Sequence, residues 1–107
     1  MLIRAQDLNV LITLIGESIK VPAEVWAYGS RVKGTAHDGS DIDLVIRHGN
    51  LLPIPAEQID ALREKIREST IPVLVQLNDW ADLPERLHAE IVKQYEVLFS
   101  SLHPAVI

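Results

Sequence analysis

The chain has 107 residues, 48% of them hydrophobic, with a net charge of −5 and no cysteine. This fits one folded domain, expected to span 1–107, with a modest core; it excludes disulfides and thiolate metal sites. The acidic balance argues against direct nucleic-acid binding through a broad surface, no apolar run is long enough to cross a bilayer, and the first residues show no secretory leader, so a cytoplasmic protein is expected.

Leu8, Leu11, Ile12, Ile15 and Ile19 recur at helical spacing, which predicts an amphipathic helix over 5–20, stopped by Pro22. EVWAY at 24–28 reads as a short strand. Gly29 breaks it, and Ser30 is expected to cap a short helical turn that ends near Gly34. A polar loop over 35–40 leads to DIDLVI at 41–46, a largely buried strand. A Pro-containing loop over 50–55 follows. Ile59, Leu62 and Ile66 mark a helix at 56–69, with Pro55 near its first turn. VLVQL at 73–77 predicts a third strand. Asp82-Leu83-Pro84-Glu85 resembles a capping box opening a helix with Leu87 and Ile91 on its core face. Residues 96–99 suit a last short extended segment. The expected product is an α/β (α+β) domain, a small mixed sheet flanked by helices. With three well-defined strands, one sheet edge or face is expected to need a partner chain.

The chemistry concentrates in YGSRVKGTAHDGSDIDLVI, residues 28–46. Asp41 and Asp43 are two apart on an extended segment, so their carboxylates leave one face while Ile42 and Leu44 turn to the core. Two close carboxylates repel, and burying them unpaired is unfavourable. A divalent cation resolves the conflict: Mg²⁺ takes oxygen ligands and commonly joins a few carboxylates to substrate phosphates. Gly29 lets the backbone approach a phosphate closely, Ser30 offers a hydroxyl donor, and Arg31 and Lys33 can offset phosphate charge; Arg47 also lies near in sequence. A Gly-Ser pair alone is a turn, and an Asp-x-Asp alone is a solvated strand start. The two at this spacing, in a strand–turn–strand context, point to a metal–nucleotide site.

That constellation resembles the signature of the DNA polymerase β-like nucleotidyltransferase superfamily, and WAYGSRVKGTAHDGSDIDLVI with IPVLVQLNDW resembles its minimal nucleotidyltransferases, the MNT group. The likeness covers about residues 5–99. It implies the palm-like nucleotidyltransferase fold, a nucleoside triphosphate substrate (commonly ATP) with Mg²⁺ or Mn²⁺, and transfer of a nucleoside monophosphate to a hydroxyl. It further implies an antitoxin that attaches AMP to a tyrosine of a helical HEPN toxin, working as a homodimer or in a hetero-oligomer with that partner. Carried over by residue, Gly29 and Ser30 hold the triphosphate, Asp41 and Asp43 bind metal, and Arg31 and Lys33 assist. The family's third carboxylate falls at Gln76, which bears no charge and cannot accept a proton; Asp79 is out of phase with it on a regular strand. An alternative therefore stands beside the enzyme: an antitoxin that neutralises its partner by binding alone. Transfer to a small molecule is weaker, since such enzymes usually carry a further domain. His37, His48, His88 and His103 lack metal-ligand spacing. His37 and Asp38 lie in the loop before the Asp pair, where they read as solvated loop residues, with the border of the nucleotide as the alternative. Trp26 and Trp80 are expected in the core or at an interface, and Tyr28 is expected to pack behind the Gly-Ser turn.

Overall fold

A computed structural model describes residues 2–37 and 39–102; the expectations about Asp38 and His103 lie outside them. The elements are α1 (Ala5–Ser18), β1 (Ala23–Tyr28), the short helical turn α2 (Ser30–Lys33), β2 (Ile42–His48), α3 (Ala56–Arg67), β3 (Val75–Asp79), a 3-10 turn (Trp80–Asp82), α4 (Glu85–Lys93) and β4 (Glu96–Ser100). The sheet order is β3-β2-β1-β4, with β1 antiparallel to both β2 and β4 and β2 parallel to β3. No helix among the described residues is long and apolar enough to cross a membrane.

Side-chain alternation divides the sheet into two unlike faces. Val25, Ala27, Leu44, Ile46 and Leu77 turn to one side and pack with Leu11 and Ile15 of α1 and Ile59 and Leu62 of α3. Trp26 and Val45 turn to the other, where they join Trp80 and Ile91 in a smaller cluster. The two indoles meet edge to face at 5.4 Å, Tyr95 stacks on Trp26 at 4.0 Å, and His88 stacks on Trp80 at 3.8 Å. Both tryptophans are core residues, as expected.

Several boundaries differ from the sequence reading, each for a physical reason. The extended segment over 96–99 is a full fourth strand, because β1 offers it an open edge. The third strand starts at Val75 and runs on to Asp79; pairing with β2 fixes its limits. The capping box does not form. Asp82 belongs to the 3-10 turn, and α4 is preceded by Pro84, which has no side-chain acceptor to offer. Ile91 is buried, but Leu87 is 38% exposed, and in α1 Ile12 is 37% exposed, so both lie off their core stripes. Gly29, not Ser30, is the residue that caps α2, with Gly34 closing it in the left-handed region.

Asp79 explains how β3 is anchored. Its carboxylate is buried and accepts the backbone N–H of Ile54 at 2.8 Å and of Ala81 at 3.1 Å. It thereby ties the loop before α3 to the end of β3 and starts the 3-10 turn. Three residues from Gln76, it leaves the opposite face of the strand and does not stand in for a third carboxylate. Asp79→Ala strands the buried Ile54 N–H and removes the part-buried Ala81 bond, and is expected to lower unfolding stability by about 1–3 kcal/mol, measured by urea denaturation; a loss below ~0.5 kcal/mol would contradict this anchoring role.

Candidate active site

The site forms where β1 and β2 run side by side and the chain leaves β1. In the antiparallel register Tyr28 pairs with Asp43, so the residue after Tyr28 lies beneath the Asp43 carboxylate. That residue is Gly29, at φ 81° and ψ −157°. A Cβ there would overlap the Asp43 carboxylate and stand 3.2 Å from its Cγ. Glycine is required twice, by the backbone angle and by the space.

The loop after α2 is held by Arg31. This side chain is buried, and its guanidinium donates to the Ser40 carbonyl from Nε at 3.1 Å and Nη2 at 2.6 Å, and to the Leu2 carbonyl at 2.7 Å. Ser40 in turn accepts the His37 N–H at 3.0 Å. The guanidinium expected to meet phosphate thus braces the loop that delivers Asp41 to the start of β2. Lys33 is exposed and lies near enough to Glu90 of α4 to help lower that carboxyl, after the larger effect of Lys93.

Asp43 sits at the second position of β2, with Asp41 just before the strand. Burial, and then the neighbouring charge of Asp41, push the Asp43 carboxyl above its ordinary value. Among the described residues neither carboxylate has a salt bridge. Parallel pairing sets Gln76 opposite Asp43, and its side-chain N–H donates to Asp41 Oδ2 at 3.3 Å. The fold therefore gathers Gly29, Ser30, Asp41, Asp43 and Gln76 at one end of one face. Among the described residues no group of three or more His, Cys, Asp or Glu assembles that could hold a metal; the third place beside the pair belongs to an amide. The donor set, two anionic oxygens and a neutral amide, is hard and suits Mg²⁺ or Mn²⁺ over softer ions.

Two further residues join the site without having been assigned to it. The Tyr28 hydroxyl accepts from Asn78 Nδ2 at 3.2 Å, a link that spans β2 between β1 and β3. Burial raises the Tyr28 phenol above its ordinary value, with the Asp43 charge adding to the rise and the Asn78 bond opposing it. The period-two step from Gln76 to Asn78 was the available signal. The histidines serve local turns: His37 accepts the Gly39 N–H, His48 accepts the Asn50 N–H, and His88 meets the Trp80 carbonyl.

The chain matches the family model described as "Polymerase beta, Nucleotidyltransferase" over residues 11–103. A Haemophilus influenzae protein named as a probable protein adenylyltransferase MntA is 38% identical over 96 residues, covering 90% of this chain and 82% of that one. A crystal structure of a toxin–antitoxin with AMP-PNP shares the fold at a TM-score of 0.72 and 24% identity, over 89% of this chain and 74% of that one. A mutant of a toxin–antitoxin, MntA-HpeT, gives 0.70 at 22% identity, over 88% and 73%. A Shewanella oneidensis structure gives 0.63 at 16%, over 92% and 74%.

Gly29→Ala is expected to displace the Asp43 carboxylate and weaken metal–ATP binding at least tenfold by calorimetry; unchanged affinity would refute the close packing of turn and carboxylate. The raised Asp43 carboxyl sets a sign for stability. The folded state favours the protonated form, so stability is full below the ordinary carboxylate range and falls as pH rises through the raised value. Metal-free Asp43→Asn is therefore expected to melt higher than wild type at neutral pH, with the gap closing in acid; a variant that melts lower at neutral pH would reverse that sign.

Proposed function

The chain belongs to the polymerase β nucleotidyltransferase family, in its minimal MNT branch, and from that premise we propose that it transfers AMP from ATP to a tyrosine hydroxyl of a HEPN-type toxin and so acts as the antitoxin. The observation that carries this reading is the stacking of Asp43 over Gly29 with Asp41 alongside, a carboxylate pair set against the Gly-Ser turn. The 38%-identical relative, named as a protein adenylyltransferase, supports a protein acceptor, and the toxin–antitoxin neighbours support a toxin as that protein. The absence of cysteine suits a cytoplasmic setting. The working assembly is a hetero-oligomer with the toxin, or a homodimer in its absence.

In the transfer, the acceptor oxygen forms a bond to the α-phosphorus, the bond from that phosphorus to the bridging oxygen breaks, pyrophosphate leaves, and the acceptor's proton passes to water. Gly29 lets the chain turn beneath the Asp43 carboxylate, which sets Ser30 beside the carboxylate pair. Ser30 offers its hydroxyl to a phosphate oxygen, and Lys33 supplies positive charge from the end of the same turn. Arg31 acts through the loop, holding Ser40 and hence Asp41 in place. Asp41 and Asp43 would hold Mg²⁺ or Mn²⁺, which when bound neutralises charge on the triphosphate and favours in-line displacement. Gln76 orients Asp41 through its amide but cannot take the acceptor's proton.

That amide favours the second reading, an antitoxin that neutralises by contact with weak or no transfer. The two readings separate on incorporation of labelled AMP into the partner toxin. Transfer is expected, and Asp41→Asn with Asp43→Asn should reduce it by about 10²–10⁴-fold, the equivalent of several kcal/mol of lost charge stabilisation. Gln76→Asp places a carboxylate beside Asp41 and should accelerate transfer, since general-base assistance is worth about 10²–10⁴-fold. A toxin neutralised by wild type with no AMP incorporated, and equally by the double variant, would establish the binding-only antitoxin instead.

A further inference from the structure

The outer edge of β3 carries a feature that the transfer site does not use. A groove of about 300 Å³ runs between α3 and this edge, lined by Ile66, Ile71, Val73, Leu74, Val75 and Leu77 together with Arg63 and Arg67. Leu74 is 62% exposed, the highest value among the large hydrophobic residues described. β3 is the last strand of the sheet on this side, so no further strand of the chain covers it. The position is unlike that of a scattered surface leucine, because its aliphatic neighbours form a continuous floor.

The rim carries the second half of the argument. Arg63 and Arg67 lie one helical turn apart on α3 and so face the same way. Arg63 Nη2 donates to the Leu77 carbonyl at 2.9 Å, which blunts the strand edge against addition of another strand. Its other contact is a 3.8 Å pair with Asp60, and Arg67 pairs with Glu64; all four side chains of these pairs are about half exposed or more. Such pairs contribute little and exchange readily, and each guanidinium has donors to spare. An aliphatic floor with an arginine rim, on a chain of net charge −5, is complementary to an aliphatic segment that also carries carboxylates.

The groove is next to the chemistry. Val75 and Leu77, two of its lining residues, flank Gln76 in sequence, and Gln76 turns the other way to touch Asp41. A body seated on this edge is therefore one residue from the carboxylate pair, around the rim of an edge strand. Resting on the proposed transfer to a protein, we infer that this groove is where the acceptor protein docks, by a segment presenting aliphatic side chains and at least one carboxylate. Docking here explains how so small a chain both holds a nucleotide and selects a protein: the two tasks fall on opposite faces of one edge strand.

The test uses the intact protein with a purified HEPN-type toxin as the probe, in Leu74→Glu and Arg67→Glu variants, with Leu52→Glu, an exposed leucine on the loop before α3, as control. Because Leu74 and Arg67 are surface residues, both variants should keep the wild-type melting temperature. Toxin binding measured by calorimetry without nucleotide should weaken at least tenfold in both and stay unchanged in the control. In the transfer assay KM for the toxin should rise similarly, while kcat and the affinity for metal–ATP should not move. Binding unchanged in both variants would overturn the inference. So would loss of self-association in Leu74→Glu by sedimentation with toxin binding intact, which would make the groove an interface between copies of this chain. The readouts stay separate from the proposed chemistry: if wild type binds the toxin but transfers nothing, transfer fails while the calorimetry still decides the groove.

Discussion

The fit of Asp43 over Gly29 is the constraint on which the rest of this structure depends. β1 and β2 are paired so that the last residue of one strand faces the second residue of the other. The chain must then turn away immediately, in a left-handed conformation, under a carboxylate that leaves no room for a side chain. Once it has turned, the chain runs through α2 and must return to the same sheet end at Asp41. Arg31 closes that loop by gripping the Ser40 carbonyl twice and the Leu2 carbonyl once. A buried guanidinium satisfied by carbonyls is an expensive brace, since its desolvation must be offset by several good hydrogen bonds. It is placed where an error of an ångström would separate Asp41 from Asp43.

One sheet face carries two kinds of surface because β2 alternates Asp43, Val45 and Arg47 along it. At the far end Arg47 lies over the rings of Trp26 and Trp80 at 5.0 and 4.9 Å, and its buried Nε has no hydrogen-bond partner among the described residues. The indole faces supply part of what water would have supplied, a contribution of about 0.5–2 kcal/mol per contact. This cation is committed to the aromatic cluster, two strand positions beyond Val45. The carboxylate pair is thereby left without a protein counter-charge among the described residues. An uncompensated pair is poor for stability, as the raised Asp43 carboxyl reports, and is the arrangement a cation-dependent site requires.

Gln76 gives this site its individual character. Its amide meets Asp41 at 3.3 Å, where a carboxylate would add charge to the pair. Retaining an amide keeps the hydrogen bond and the geometry while lowering the local negative charge. The same short strand presents Gln76 to the reaction side and Val75 and Leu77 to the groove under α3. The proposed reaction side and the groove thus share β3, whose far end Asp79 fastens to the loop before α3.

How much of this was legible in the sequence depends on separation along the chain. Gly29-Ser30 and Asp41-x-Asp43 were readable because turn geometry and strand alternation are local rules. The aliphatic residues of α1 and α3 were readable for the same reason, apart from Ile12, which packing leaves at the boundary of its stripe. The opposition of Asp43 and Gln76 was suggested only by family likeness, since parallel pairing over more than thirty residues has no local signature. The fourth strand was underweighted because its stability lies in the open edge of β1, not in its own residues. The sequence by itself determined the helices, the first three strands, most of their buried positions and the carboxylate pair, since periods of 3.6 and 2 act within a few residues. Only the tertiary structure decided where Arg31 and Arg47 spend their charge, which edge stays open and what stands beside Asp41, because those depend on which polar groups burial leaves to be satisfied and which distant backbone is there to satisfy them.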